Sequence, residues 1–81
     1  MFSEVKPHAK FVDIYGQEHV PVATLKDKNK ICHVVQEDDC YVAFLSADTQ
    51  YEFVETNYIF PELHAVLAKL PTPKEELNRA Y

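Results

Sequence analysis

Two runs of this chain, Ile31–Val35 and Cys40–Leu45, are apolar at nearly every position rather than at every second one. Side chains alternate faces along a strand, so each run is apolar on both faces. Such a strand cannot lie open on a surface. It needs cover on both sides, or a place in a closed small barrel. That demand falls on 81 residues, which is enough for one domain and close to the lower size at which a single core suffices. Composition permits a core, because 47% of the residues are hydrophobic, an ordinary share for a globular domain and too high for a disordered one.

The remaining pattern supplies neighbours for those runs. Lys10–Tyr15 and His19–Leu25 read as strands joined through Gly16-Gln17. Glycine at the first central position suits a type II′ hairpin, and that register sets Phe11 opposite Val22 and Asp13 opposite Val20. Pro21 has no N–H to donate, which gives the second strand an edge-like side. Lys26–Lys30 reads as a polar turn, with Asn29 as the residue that tolerates a left-handed conformation. Taking Gln36–Asp39 as the next loop pairs Val35 with Cys40, His33 with Val42 and Ile31 with Phe44. Tyr51–Thr56 reads as a fifth strand, set so that Phe44 meets Phe53, Ala43 meets Val54 and Val42 meets Glu55. The period then changes. Leu63, Val66, Leu67 and Leu70 fall at helical spacing, with Pro61 at the first turn and Pro71 as the stop. Thr72-Pro73-Lys74-Glu75 reads as a capping box opening a second short helix, with Leu77 and Tyr81 as its docking contacts. The fold expected over 1–81 is therefore one α+β domain: an antiparallel meander of about five strands, strongly twisted or closed as a small SH3-like barrel, with a C-terminal helix packed on it.

Charge is distributed unevenly. From Ile31 to Ala68 there is no Lys or Arg, while Glu37, Asp38, Asp39, Asp48, Glu52, Glu55 and Glu62 all lie there. Six aromatics share the block: Tyr41, Phe44, Tyr51, Phe53, Tyr58 and Phe60. An acidic surface repels phosphate backbones, so direct nucleic-acid binding is not expected. Lys6, Lys10, Lys26, Lys28 and Lys30 make at most a small basic corner on a chain of net charge −5. A single glycine, Gly16, excludes the glycine-rich phosphate loops. No apolar run approaches the roughly 20 residues of a membrane span, and Met1–Lys10 has no apolar stretch of a secretion signal. A cytoplasmic protein is the expectation.

Cys32, His33 and Cys40 are the residues closest to a chemical motif, but their spacing is not that of the usual zinc sites. The expected register puts Cys40 on the face of His33 and Cys32 on the opposite face, so the thiols cannot share a metal or form a disulfide. Two small buried hydrophobes are the simpler reading. A His33–Cys40 dyad has no acid placed to orient it and no glycine-rich turn for an oxyanion. The bland reading of His33 is a partly buried histidine bonded to a backbone carbonyl. His8, His19 and His64 read as polar surface residues. No metal, cofactor or catalytic residue is assigned.

The function these features favour is a non-enzymatic protein-binding module. It would dock an acidic, aromatic surface made of Glu37, Asp38, Asp39, Tyr41 and Glu55 on a basic partner, as an inhibitor or regulator does. In a narrower form the carboxylates replace nucleic-acid phosphates, as in small acidic inhibitors carried by phages. A structural subunit that forms homodimers or larger oligomers through an edge strand or the C-terminal helices is the second reading. A small enzyme or ligand-binding protein using His33 is the third.

Overall fold

The computed structural model describes residues 1–46 and 52–71. Seven strands and one helix follow in chain order: β1 (Ser3–Val5), β2 (Phe11–Val12), β3 (Glu18–His19), β4 (Ala23–Asp27), β5 (Lys30–Gln36), β6 (Tyr41–Ser46), β7 (Val54–Thr56) and α1 (Pro61–Lys69). Five of the strands form one antiparallel sheet in the order β1-β4-β5-β6-β7, and β2 and β3 form a separate hairpin. The architecture is α+β as expected. The sheet's ladder ends at β1 on one side and β7 on the other, without closure into a barrel among the described residues.

The two-sided strands are covered on both faces. Cys32 and Val34 of β5 join Ala23, Leu25, Ala43, Phe60, Leu63 and Val66 in one buried cluster under the helix. Ile31 and Val35 join Phe11, Phe44 and Phe53 in a second cluster on the opposite face, under the hairpin. The helix starts at Pro61, where a missing N–H costs nothing, and ends before Leu70, which turns extended ahead of Pro71. Leu63 and Val66 are its buried residues, while Leu67 and Leu70 pack on the cluster half-buried. Lys69, in the last turn, pairs with Glu4 of β1 at 2.6 Å.

Several expected registers are corrected. β5 and β6 pair Val35 with Val42, His33 with Phe44 and Ile31 with Ser46, two residues away from the expected alignment. The Glu37 N–H donates to the Cys40 carbonyl at 2.8 Å, so the loop shrinks to Asp38-Asp39 and the ladder lengthens. β6 and β7 likewise pair Phe44 with Glu55 and Leu45 with Val54. A slip of two leaves every side chain on its face. Cys32 and Cys40 therefore still point to opposite sides, one buried and one exposed, both free thiols.

The first hairpin differs more. Phe11 pairs with His19, not Val22. The Gly16 N–H donates to the Asp13 carbonyl and the Asp13 N–H to the Gln17 carbonyl, both at 2.9 Å. Asp at the first and Gly at the fourth position of a turn is a type I signature, and Gly16 at that fourth position is left-handed (φ +87°). The expected strand His19–Leu25 breaks at Pro21 into β3 and β4, and Ser3–Val5, which carries no strong pattern, takes the edge beside β4. The left-handed residue of the Lys26–Lys30 turn is Lys28 (φ 56°), not Asn29. The expected strand start at Tyr51, the acid Asp48 and the second helix from Thr72 onward lie outside the described residues. No helix among the described residues is long and apolar enough to cross a membrane.

Candidate functional site

Asp13 organises the hairpin that roofs one face of the sheet. Its Oδ1 accepts the N–H groups of Tyr15 and Gln17, both at 2.9 Å, and its Oδ2 lies 2.8 Å from Nε2 of His19. Both side chains are nearly closed to solvent, at 6% for Asp13 and 8% for His19. The hydrogen bond from His19, then those from the backbone of Gln17 and Tyr15, hold the Asp13 carboxyl below its ordinary range against the opposing effect of burial. A short polar turn is thereby fixed by a carboxylate with both oxygens engaged.

Beneath the turn the rings stack. Phe11 lies 4.4 Å from His33, 5.0 Å from Phe53 and 5.3 Å from Phe44, centroid to centroid. His33 is 1% exposed, and its Nδ1 shares a hydrogen bond of 2.9 Å with the Thr24 hydroxyl, not with a backbone carbonyl. The same hydroxyl accepts the His8 N–H at 3.2 Å. Burial, reinforced by the nearby His8, pushes the His33 imidazole down to about 4. It is a neutral ring in the core, without the solvent access that proton transfer needs.

Between the hairpin turn and the ends of β5–β7 lies a cleft of about 410 Å³. Its lining combines Ile14 and Tyr15 of the turn, the apolar Val42, Phe44 and Phe53, and Glu37, Cys40 and Glu55. The sheet parity explains the grouping: Glu37 and Cys40 face each other past the end of the β5–β6 ladder, and Glu55 stands beside Phe44 on the same face. The acids act together on Cys40. Partial burial first, then Asp39, Glu37 and Glu55, push its thiol above the ordinary value, which suppresses the thiolate a nucleophile would need.

The expected docking residues thus separate. Glu37 and Glu55 border the cleft, and Asp38 and Asp39 stand exposed on the adjoining turn. Tyr41 does not join them. It lies on the helix face, half-buried, with its hydroxyl donating to the Pro71 carbonyl at 2.6 Å. The ion pairs among the described residues are Met1–Asp27, Lys10–Glu18, His19–Asp13 and Lys69–Glu4; none involves an acid of the 31–68 block. No group of three or more His, Cys, Asp or Glu among the described residues could hold a metal ion. The Asp13–His19 pair was missed in the sequence because the two-residue loop placed Asp13 opposite Val20. The signal that finds it is Asp13-Ile14-Tyr15-Gly16 read as a type I turn. Comparison with protein-family models, with curated proteins and with solved structures gives no match.

Proposed function

We propose that the protein is a non-enzymatic binding module whose acidic end, at the β5–β6 turn and the neighbouring cleft, docks on a basic protein partner. The observation that carries this reading is the placement of Glu37 and Glu55 on an open, apolar-walled cleft with no cation among the described residues paired to either. Carboxylates left unpaired at a surface create a field that steers a basic partner and fixes its register. Asp38 and Asp39 extend the same field beyond the cleft. In its narrower form the proposal makes the protein an inhibitor that occupies a phosphate-binding surface of a nucleic-acid enzyme. A cytoplasmic setting belongs to the same proposal, and the exposed free thiol of Cys40 suits a reducing compartment.

The test is isolation of the partner from the native host, followed by titration at two salt concentrations. Replacing Glu37, Asp38 and Asp39 by the corresponding amides weakens binding about tenfold or more, roughly 1.4 kcal/mol, and raising salt weakens the wild-type complex. If the triple variant binds as the wild type does and salt changes nothing, the oligomerising-subunit reading replaces this one.

A further inference from the structure

We propose that the cleft between the hairpin turn and the β5–β7 ends receives a single arginine side chain presented by the protein partner. This rests on the binding-module reading and names the chemistry of its contact. The cleft combines two kinds of surface that an arginine needs together. Tyr15, 92% exposed, offers a ring face, the buried Phe44 and Phe53 line the cleft, and Val42 and Ile14 offer aliphatic surface for a stem. Glu37 and Glu55 add carboxylates to the same lining. A guanidinium stacks on rings and donates two parallel hydrogen bonds to a carboxylate, whereas an ammonium is a compact, strongly hydrated charge.

Among the described residues, the chain's own groups do not satisfy this site. Asp13, the third carboxylate at the cleft, is already filled by His19, Tyr15 and Gln17. Among the described residues Glu37 and Glu55 have no such partners, and, after burial and Asp39, they too push the Cys40 thiol up. Size also selects the occupant. At about 410 Å³ the cleft is near the small end of ligand pockets, roughly 300–1,000 Å³, which suits one long side chain with its flanking backbone better than a docked helix. A metal ion is a poorer fit, since no ligand set of three gathers among the described residues.

The probe is a capped pentapeptide, Gly-Gly-Arg-Gly-Gly, followed by amide shifts in the full-length protein. Saturable shifts confined to 14–17, 37–44 and 53–55 are expected, with the lysine analogue weaker and the citrulline analogue about tenfold weaker or worse. Glu55→Gln weakens the arginine peptide severalfold, and Asp38→Asn with Asp39→Asn leaves it within about twofold. Cys40→Arg, at an exposed position, fills the cleft from within and abolishes the response while the remaining spectrum stays native. Equal binding of citrulline overturns the proposal, as does an Asp38/Asp39 variant that weakens the peptide as much as Glu55→Gln. The same shifts on raising protein concentration without peptide would assign the cleft to a second copy, and also overturn it. If a basic partner binds in a salt-dependent way but the peptide leaves the cleft unperturbed, only the arginine assignment falls. If neither binds, both readings fall.

Discussion

The two faces of β5 are buried by different means. On the helix side, Cys32 and Val34 meet Leu63, Val66, Leu25, two alanines and the single buried ring of Phe60, a cluster of mainly aliphatic groups. On the hairpin side, Phe11, Phe44 and Phe53 are interleaved with the imidazoles of His33, His19 and His8. A nine-residue helix presents a continuous apolar stripe and needs no specific polar tie to stay docked. A hairpin of two-residue strands has no stripe to offer. It docks through one large ring, Phe11, and through the Ile14 N–H, which donates to the Phe53 carbonyl at 3.0 Å, while Asp13 and His19 hold the hairpin's own turn. The smaller the covering element, the more its own shape depends on groups that titrate.

That contrast can be broken from either side. Phe11→Ala is expected to have the largest effect, about 3–5 kcal/mol in urea unfolding, because it removes the hairpin's main apolar contact. Leu63→Ala, at a fully buried site, follows at about 2–5 kcal/mol. The cost of the second should be nearly independent of pH. An equal pH dependence for both variants would show that the two faces are not distinct.

A pH series sharpens the comparison. The His33 imidazole titrates near 4 in the folded protein, against an ordinary 6.5. The unfolded chain therefore binds a proton over that interval that the folded chain refuses. Stability is fully present above about pH 6.5 and is lost as pH falls toward 4, by up to about 3 kcal/mol at 1.36 kcal/mol per unit. Asp13 adds a further loss in the same direction at lower pH, since its carboxylate is held below 3.8 in the fold. Replacing His33 by Leu flattens the first interval. A wild-type urea midpoint constant from pH 7 to 4.5 would contradict the buried neutral ring. The smallest effect concerns the thiols. Cys40, on the cleft, reacts with a maleimide under native conditions, more slowly than a free thiol because its neighbours are acids. Cys32, 0% exposed and pushed up to about 11 by burial, reacts only on unfolding.

The sequence made the sheet legible where its signal was a parity and illegible where it was a count. Apolar residues at consecutive positions of 31–35 and 40–45 required two covered faces, and both faces are covered. The expected registers of β5–β6 and β6–β7 were each off by two, an error that burial pattern cannot detect because it returns every side chain to the same face. The helix was read from its four-residue stripe and its flanking prolines. The hairpin was misread because Gly16 has two meanings, the second position of a tight loop or the fourth of a type I turn, and only the acceptor behaviour of Asp13 distinguishes them. β1 was not seen because Ser3–Val5 is too short and mixed to carry a period. Of the docking residues, Glu37 and Glu55 came together at one cleft. Tyr41 was assigned to them by proximity in sequence, although its position one residue from Cys40 puts it on the other face.

The pairing of β1 with β4 has a consequence for the order in which the molecule assembles. Val5 sits opposite Thr24, and Ser3 opposite Lys26, so this ladder closes a loop that contains the whole β2–β3 hairpin. β4, β5 and β6 are joined by tight turns and can zip together from local contacts within microseconds, whereas the longer loop loses more chain entropy on closure. β1 is then the last strand to arrive and the first to leave. Val5→Ala should accelerate unfolding and leave the refolding limb of the chevron in place. A slowed refolding limb would instead put β1 in the nucleus and make the chain's opening residues the start of its folding route.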